Sequence, residues 1–576
     1  MAKAKSGRGA PAGDTDFDWS KAHALLAGLP GGGLNIAYET ADRHVADGHA
    51  CRPALVSLGR RYERRQLSYG ELAEQSGRVG AALAGLGVAK GEVVAVLLDR
   101  GLEFFLAALG TWKAGAVFCP LFSAFGPGPL KARLELSRAR VVITTASLYQ
   151  RKMTTIRAAL PDLAHVVTIG EPGEIPAGCH DFAALIDKVA PMEPVATAET
   201  DSALLHFTSG TTGTPKGVVH SHRTVLSLLV SARQVFELSP DDVYWCTADP
   251  GWVTCSCYGI IAPLAAGCLS VIDEAEFDTR RWYGILKDEK VTVWYTTPTN
   301  IRMMMRFGAA LARSYRQNSL RVAASVGEPL NREAVAWGEK ALGVPFLDTW
   351  WQTETGAIAI ANRIGCAEPG SMGRPLPGVQ AAVATAKDGK LHFSTEADAV
   401  GELAIRATLP SLFSGYLNDP ARTEASFADG WYLTGDQVRL GANGCVWFIG
   451  RIDDMIKSAA HTIGPFEIEC SLMNHPAVGE TGVVGKPDLL LREVPVAFVS
   501  VNPGFEAGDS LRLELLSFAR HELGTAMAPR EVHFLESLPK TTTGKILRRA
   551  LKAKAVAEPE DDDPAPLPYP GRFDDE

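Results

Sequence analysis

The stretch Leu205-His206-Phe207-Thr208-Ser209-Gly210-Thr211-Thr212-Gly213-Thr214-Pro215-Lys216-Gly217-Val218 is an apolar run that stops abruptly in a Ser/Thr/Gly loop bearing one lysine. Glycines allow backbone dihedrals that a β-carbon forbids, so successive amide hydrogens can converge on one concavity and hold phosphate oxygens. The hydroxyls from Thr208 to Thr214 add donors, and Lys216 adds a mobile positive charge. It is not a Walker loop, because glycine rather than serine or threonine follows Lys216.

Further segments have reactive side chains where strands should end. Ser325-Val326-Gly327-Glu328-Pro329-Leu330 offers bare backbone and a carboxylate, and Trp350-Trp351-Gln352-Thr353-Glu354-Thr355-Gly356 offers two indoles, hydroxyls and an acid. Tyr432-Leu433-Thr434-Gly435-Asp436 closes a strand on an aspartate, and Gly450-Arg451-Ile452-Asp453-Asp454 stands where the composition changes. Pro539-Lys540-Thr541-Thr542-Thr543-Gly544-Lys545-Ile546 sets a lysine between a glycine-containing turn and a basic helix. Each alone is an ordinary structural feature: Trp-Trp is usually core, an aspartate a turn cap, a lysine a solvated face. Their joint order and spacing point to nucleotide chemistry.

The elements that must position these residues follow from patterning. Val93–Leu98, Ala116–Phe118, Val141–Thr144 and His165–Ile169 read as buried strands, with a helix from Glu103 to Ala114. Ser68 reads as the cap of an earlier helix. Beyond the phosphate loop come a small-residue helix after Pro250-Gly251-Trp252-Val253-Thr254 and strands at Leu269–Ile272 and Val291–Tyr295. Strands alternating with helices predict parallel sheets, which bind ligands at the carboxyl edge of the strands. Past residue 400, Gly401–Arg406 and Gly444–Gly450 are short β segments between turns. The expected class is α/β: a large amino-terminal domain of sheets covered by helices, residues 17–450, with a β-rich subdomain. A small mobile α+β domain, 451–555, should follow. Residues 1–16 and 556–576 should be disordered.

A chain of 576 residues is too long for one core. With 46% hydrophobic and 21% charged residues it has the composition of an ordinary globular protein. From Glu558 onward the tail alone holds −7 of the −9 net charge, so the body is nearly neutral and no nucleic-acid or membrane surface is indicated. No apolar run approaches the roughly 18 residues of a membrane span. The basic start, Met1 to Gly9, has no apolar stretch after it and is not a secretory signal. Ten cysteines lie scattered, Cys255 and Cys257 being the only close pair, which suits reduced thiols in the cytoplasm.

Taken together, the motifs resemble those of the acyl-adenylate-forming superfamily along nearly all of residues 17–555, and most of all its bacterial AMP-forming acetyl-CoA synthetases. The resemblance implies substrates acetate, ATP and CoA, and Mg²⁺ as cofactor. It implies that Thr208, Ser209, Gly210, Thr211, Thr212, Gly213 and Lys216 hold the β- and γ-phosphates. Gly327, Glu328 and Pro329 line adenine, with Trp350 and Gln352 nearby. Thr353 touches the α-phosphate, Glu354 holds the metal, and Asp436, assisted by Arg451, binds the ribose. Lys545 bridges the carboxylate and α-phosphate during adenylation, and Asp453 is the hinge on which the small domain turns. Trp351, with Val253 and Thr254, lines an acyl pocket sized for acetate; relatives that accept longer acids have glycine at the Trp351 position. Arg520 matches an arginine near CoA. The exposure that Lys545 needs would also admit lysine-acylating and deacylating enzymes.

Two departures bear on the second substrate. Where relatives read Ser-Gly-aromatic-Arg-Ile-Gly-Pro, this chain reads Ala459-Ala460-His461-Thr462-Ile463-Gly464-Pro465. Ala460 replaces a glycine of the pantetheine tunnel, and Thr462 an arginine that contacts phosphate. A lost charge-assisted bond is worth ~1.5–3 kcal/mol, so weaker nucleotide binding is expected. Cys255 also stands where relatives have glycine. Adenylation with a different acceptor, an amine or a carrier-protein thiol, therefore stays open, as does a retired nucleotide-binding protein.

Overall fold

Runs of β-branched residues bounded by turn formers become the buried strands that the pattern predicts. In the computed structural model, which describes residues 17–171, 173–208, 215–316, 318–458, 461–488, 491–524, 527–540 and 545–557, Val93–Leu97 lies between Val117–Pro120 and Val141–Thr145, all parallel. His165–Ile169 extends that sheet in parallel on one side. On the other, Ser202–Thr208 runs parallel to Val117–Pro120 and then turns back as Lys216–Ser221. Gly415–Tyr416 pairs with the latter and ends the sheet. The expected ends 1–16 and 558–576, the loop residues Ser209 to Thr214, and Ala460 lie outside the described residues.

Ser68 caps the helix Tyr69–Gly85, accepting from Glu71 N at 3.2 Å while the Glu71 carboxylate reaches back to Ser68 N. The helix Leu102–Lys113 is apolar almost all round and is buried accordingly. Its one cation, Lys113, ends on Asp42 at 2.6 Å.

The second sheet runs in the order Phe346–Trp350, Val322–Ser325, Val293–Thr296, Val243–Cys246, Leu269–Asp273. Those five are parallel, and the register Thr296↔Ser325↔Asp348 brings three strand ends level. The amino-terminal hairpin Pro53–Leu58/Arg64–Ser68 extends it beside Leu269–Asp273, and the short strands Ile360–Ala361 and Arg374–Pro375 extend it beyond Phe346–Trp350. The segment expected as a small-residue helix is a wide π-turn, Cys255–Ile261, that continues as Ala262–Ala266. One apolar cluster joins the facing sides of both sheets, from Leu55 and Val94 to Tyr258 and Trp351.

A third, β-rich sheet follows, with Lys390–Ser394, Ala381–Lys387, Val400–Arg406 and Trp431–Leu440 in that order. The chain divides into two compact units, one of residues up to Thr434 with Val438–Phe448, the other of Gly435–Gln437 with Ile449 onward. The second unit has its own sheet, centred on Val478–Asp488 and Arg492–Val501, and its own apolar core around Ile468, Val483, Val499 and Leu515. Its last helix, Arg548–Ala557, runs two residues into the segment expected as tail. The architecture is thus α/β sheets under helices, a β-rich section and a smaller α+β unit.

Candidate active site

The antiparallel pair that starts at Thr208↔Lys216 fixes both ends of the phosphate loop. Lys216 is half-buried, its Nζ 5.5 Å from the centre of the Tyr416 ring. The Tyr416 hydroxyl donates to Glu354 Oε1 at 2.9 Å, and burial together with the Glu354 charge raises the phenol above its ordinary value. Main-chain bonds from Phe413 N to Glu354 O (2.8 Å) and Leu417 N to Gly217 O (2.7 Å) tie these segments into one wall. A lysine, an aromatic face and a carboxylate therefore stand in sequence beside the loop.

The parallel strands of the second sheet deliver their ends to another wall. Gly327 follows Val322–Ser325 in a left-handed conformation, φ +92°, with the Trp252 ring 3.4 Å from where a β-carbon would sit. The Glu328 carboxylate accepts from Thr299 Oγ1 at 2.7 Å and Arg302 Nη2 at 2.6 Å. Asp348, which sequence reasoning passed over, accepts from Leu330 N at 3.3 Å and so fastens the Gly327–Leu330 turn to the next strand. Burial pushes its carboxyl up to about 8.

Trp350 ends that strand and Trp351 begins the turn, both buried. Trp351 Nε1 donates to Tyr295 Oη at 3.1 Å, and its ring meets Tyr258 edge-on at 5.1 Å. Tyr295 is itself held on Thr349 Oγ1 at 2.7 Å, so the indole is fixed from two sides. Thr254 is buried and Val253 packs against the same apolar cluster, immediately before the π-turn that supplies Tyr258. Cys255 is buried there, and burial pushes its thiol well up.

Gln352 is clamped between Tyr432 Oη and the Thr434 carbonyl, both at 2.9 Å. The Thr353 side chain is partly exposed, and its carbonyl lies 2.7 Å from His220 Nε2. Pro329 is partly buried behind Glu328.

In the second unit, Asp436 is buried with Oδ1 2.7 Å from Arg451 Nη1. Gly435, just before Asp436, is at φ +71°, and a β-carbon there would come within 2.8 Å of the guanidinium. Asp453 is exposed in the turn Ile452–Asp454. Lys545 is exposed, next to Ile546, which bridges to Lys540, and Leu547, whose N donates to Pro539 O at 2.8 Å. Three residues on, Arg548 binds Glu469 and the Val483 carbonyl. Arg520 is exposed in the last turn of the helix Asp509–Leu523.

The sequence profile of the AMP-binding enzyme family matches residues 42–417, and that of the AMP-binding enzyme C-terminal domain matches 467–545. The chain belongs to the AMP-binding enzyme family. An acetyl-coenzyme A synthetase of Bacillus subtilis is 40% identical over 93% of each chain. The crystal structure of an acyl-CoA synthetase of Brucella canis is 36% identical, with a TM-score of 0.73 over 94% of this chain and 97% of that one. An anthranilate CoA ligase solved in complex with anthranoyl-AMP is 27% identical, with a TM-score of 0.81 over 91% of this chain and 97% of that one.

Within this family member, the first unit brings Lys216 over the Tyr416 ring and Glu354 to its hydroxyl, and sets Trp351 and Gln352 at one strand end. Asp436, Arg451, Asp453, Arg520 and Lys545 belong to the second unit. Tyr416, His220, Asp348, Tyr258 and Tyr295 are the supporting residues that motif reading overlooked. Nothing in their spacing marks them, since each acts through a partner more than 15 residues away. No cluster of three or more metal-ligating side chains exists among the described residues. Glu354 offers a single carboxylate, which suits Mg²⁺, an ion held by one or two carboxylates and otherwise by substrate phosphates and water.

Proposed function

We propose that this enzyme is an AMP-forming acetyl-CoA synthetase, converting acetate, ATP and CoA into acetyl-CoA, AMP and pyrophosphate. The observation behind it is the 40% identity to an acetyl-coenzyme A synthetase along 93% of both chains. The braced Trp351 supports the choice of acid.

In the first step a carboxylate oxygen of acetate attacks the α-phosphorus of ATP, and the bond to the bridging oxygen breaks to release pyrophosphate. No covalent enzyme intermediate is needed, so positioning and charge stabilisation supply the rate. Thr208 to Lys216 hold the departing phosphates. Thr353 orients the α-phosphate, Asp436 with Arg451 binds the ribose, and Gly327, Glu328 and Pro329 with Trp350 and Gln352 frame adenine. With its carboxylate already engaged by Thr299 and Arg302, Glu328 meets the base with its backbone. Lys545 neutralises charge at the phosphorus centre. Mg²⁺ held at Glu354 would add positive charge beside the phosphates. In the second step the CoA thiol attacks the acetyl carbonyl and AMP leaves, with the small unit turned about Asp453 and Arg520 beside CoA.

Trp351, with Val253 and Thr254, restricts the acid. An indole fixed by Tyr295 and Tyr258 cannot withdraw to admit methylenes without strain, roughly 1–3 kcal/mol. The cytoplasm is the proposed location, and no helix among the described residues is long and apolar enough to cross a membrane. Lys545, being exposed, is the proposed target of lysine-acylating enzymes. Mass spectrometry of protein from cells, with activity measured before and after deacylation, tests that point; unmodified Lys545 with full activity throughout discards it.

A second reading keeps the first step and changes the acceptor. Cys255, Ala460 and Thr462 favour it, since each alters the tunnel or the phosphate contacts that the resemblance implies. Acetate-dependent ATP–pyrophosphate exchange is expected under both readings. Thioester formation with free AMP upon adding CoA is expected under the first alone, and exchange without thioester would replace it by the second.

A further inference from the structure

His220 is fully enclosed, on the strand that leaves the phosphate loop, and both of its ring nitrogens face main-chain carbonyls. Nε2 lies 2.7 Å from Thr353 O and Nδ1 lies 3.1 Å from Ser411 O. An imidazolium would donate to both, whereas a neutral ring has one N–H to give. Burial holds the ring neutral, pulling its pKa down to about 4 against the two carbonyls that raise it. His206, on the paired strand and the same face, is also buried and held down to about 3. One proton therefore serves two acceptors, and the shorter distance marks Thr353 O as the one that takes it.

The surroundings leave the ring little choice of position. A β-carbon at Gly356 would come within 2.4 Å of Ser411 O and 2.8 Å of His220 Cε1, so the turn is packed directly onto the imidazole. Ser411 has an anchor of its own, its hydroxyl donating to Thr355 O at 2.6 Å, so its position does not hang on the histidine alone. Thr353 O has His220 as its one described side-chain donor.

We propose that His220 is a positioning residue for adenylation: its Nε2–H tautomer holds the Thr353 carbonyl and so sets the turn Gln352–Gly356 against the α-phosphate. This rests on the reading of Thr353 given above. The strand bearing Lys216 then fixes two parts of the nucleotide site at once, the phosphate-loop lysine at its start and the α-phosphate turn near its end.

Glutamine places an N–H donor near the position of Nε2, and asparagine places one near that of Nδ1. Acetate-dependent ATP–pyrophosphate exchange is measured for the wild type, His220→Gln and His220→Asn, with melting temperatures as the folding control. His220→Gln should retain kcat within about threefold, and His220→Asn should lose about tenfold in kcat, the effect of one hydrogen bond, with KM for ATP nearly unchanged. Equal losses in both variants, or a loss that follows melting temperature, would overturn the proposal. Nitrogen-15 NMR of the histidine-labelled wild type gives a reading independent of the variants' activity. The proton should sit on Nε2 of His220, with the signal assigned by its absence in whichever variant folds, and a proton on Nδ1 refutes it. Absence of exchange in the wild type would instead refute the adenylation reading itself.

Discussion

Lys216 and Lys545 each close a loop of threonine and glycine, yet their surroundings are opposites. Lys216 opens a strand paired along its length with Ser202–Thr208, and its ammonium rests over the Tyr416 ring, whose hydroxyl binds Glu354. Lys545 is exposed, in a separate unit with its own core. The first arrangement suits a cation that must stay with phosphates through a whole turnover. The second suits one required in a single step and removed for the next. Similar local chemistry can thus be put to two uses, because the scaffolds differ.

The largest effect should come from Lys545→Ala. Pyrophosphate exchange is expected to fall by about 10²–10³-fold, as on removing a donor that acts in the transition state, while thioester formation from supplied acetyl-AMP stays within a few-fold. Comparable damage to both half-reactions would erase the contrast between the two lysines. Lys216→Ala should instead raise KM for ATP by about ten- to a hundredfold, the cost of a charge-assisted bond present before and during reaction. A kcat effect with KM intact would show that this lysine, too, acts in one step only.

Trp351→Gly tests the fixed wall of the proposed acyl pocket. Each methylene accommodated in the vacated space is worth ~0.8 kcal/mol, or about fourfold, so four- to six-carbon acids should become substrates. An unchanged acid profile would remove the indole as the limit on chain length. Smallest of all, Tyr416→Phe keeps the ring beneath Lys216 and deletes the bond to Glu354. A two- to tenfold loss in exchange is expected, and full activity would show that the ring face alone matters.

The chemistry-bearing ends of strands were legible because an apolar run that halts at glycine or tryptophan leaves a mark within a few residues. Thr208, Gly327 and Trp350 each stand at such a point, and the fold class followed from the alternation of strands and helices around them. Pairings across long separations left no such mark. Pro53–Leu58 pairs with its neighbour Arg64–Ser68 but on its other edge joins Leu269–Asp273, some 200 residues on, and only packing decides that. Buried polar residues are equally silent in sequence: nothing distinguishes His220 or Asp348 from surface counterparts until the turns that cover them are in place. The wide turn at Cys255–Ile261 reads as a small-residue helix because composition does not register the wider spacing of a π-turn.

Arg548 has a mechanical corollary. Its guanidinium fastens the start of the final helix to Glu469 and the Val483 carbonyl, three residues beyond Lys545. Travel of that amine by more than the reach of its own side chain must enlist the domain as a single body. The adenylation rate of the proposed enzyme should therefore feel solvent friction, slowing as glycerol thickens the medium whenever reorientation limits turnover.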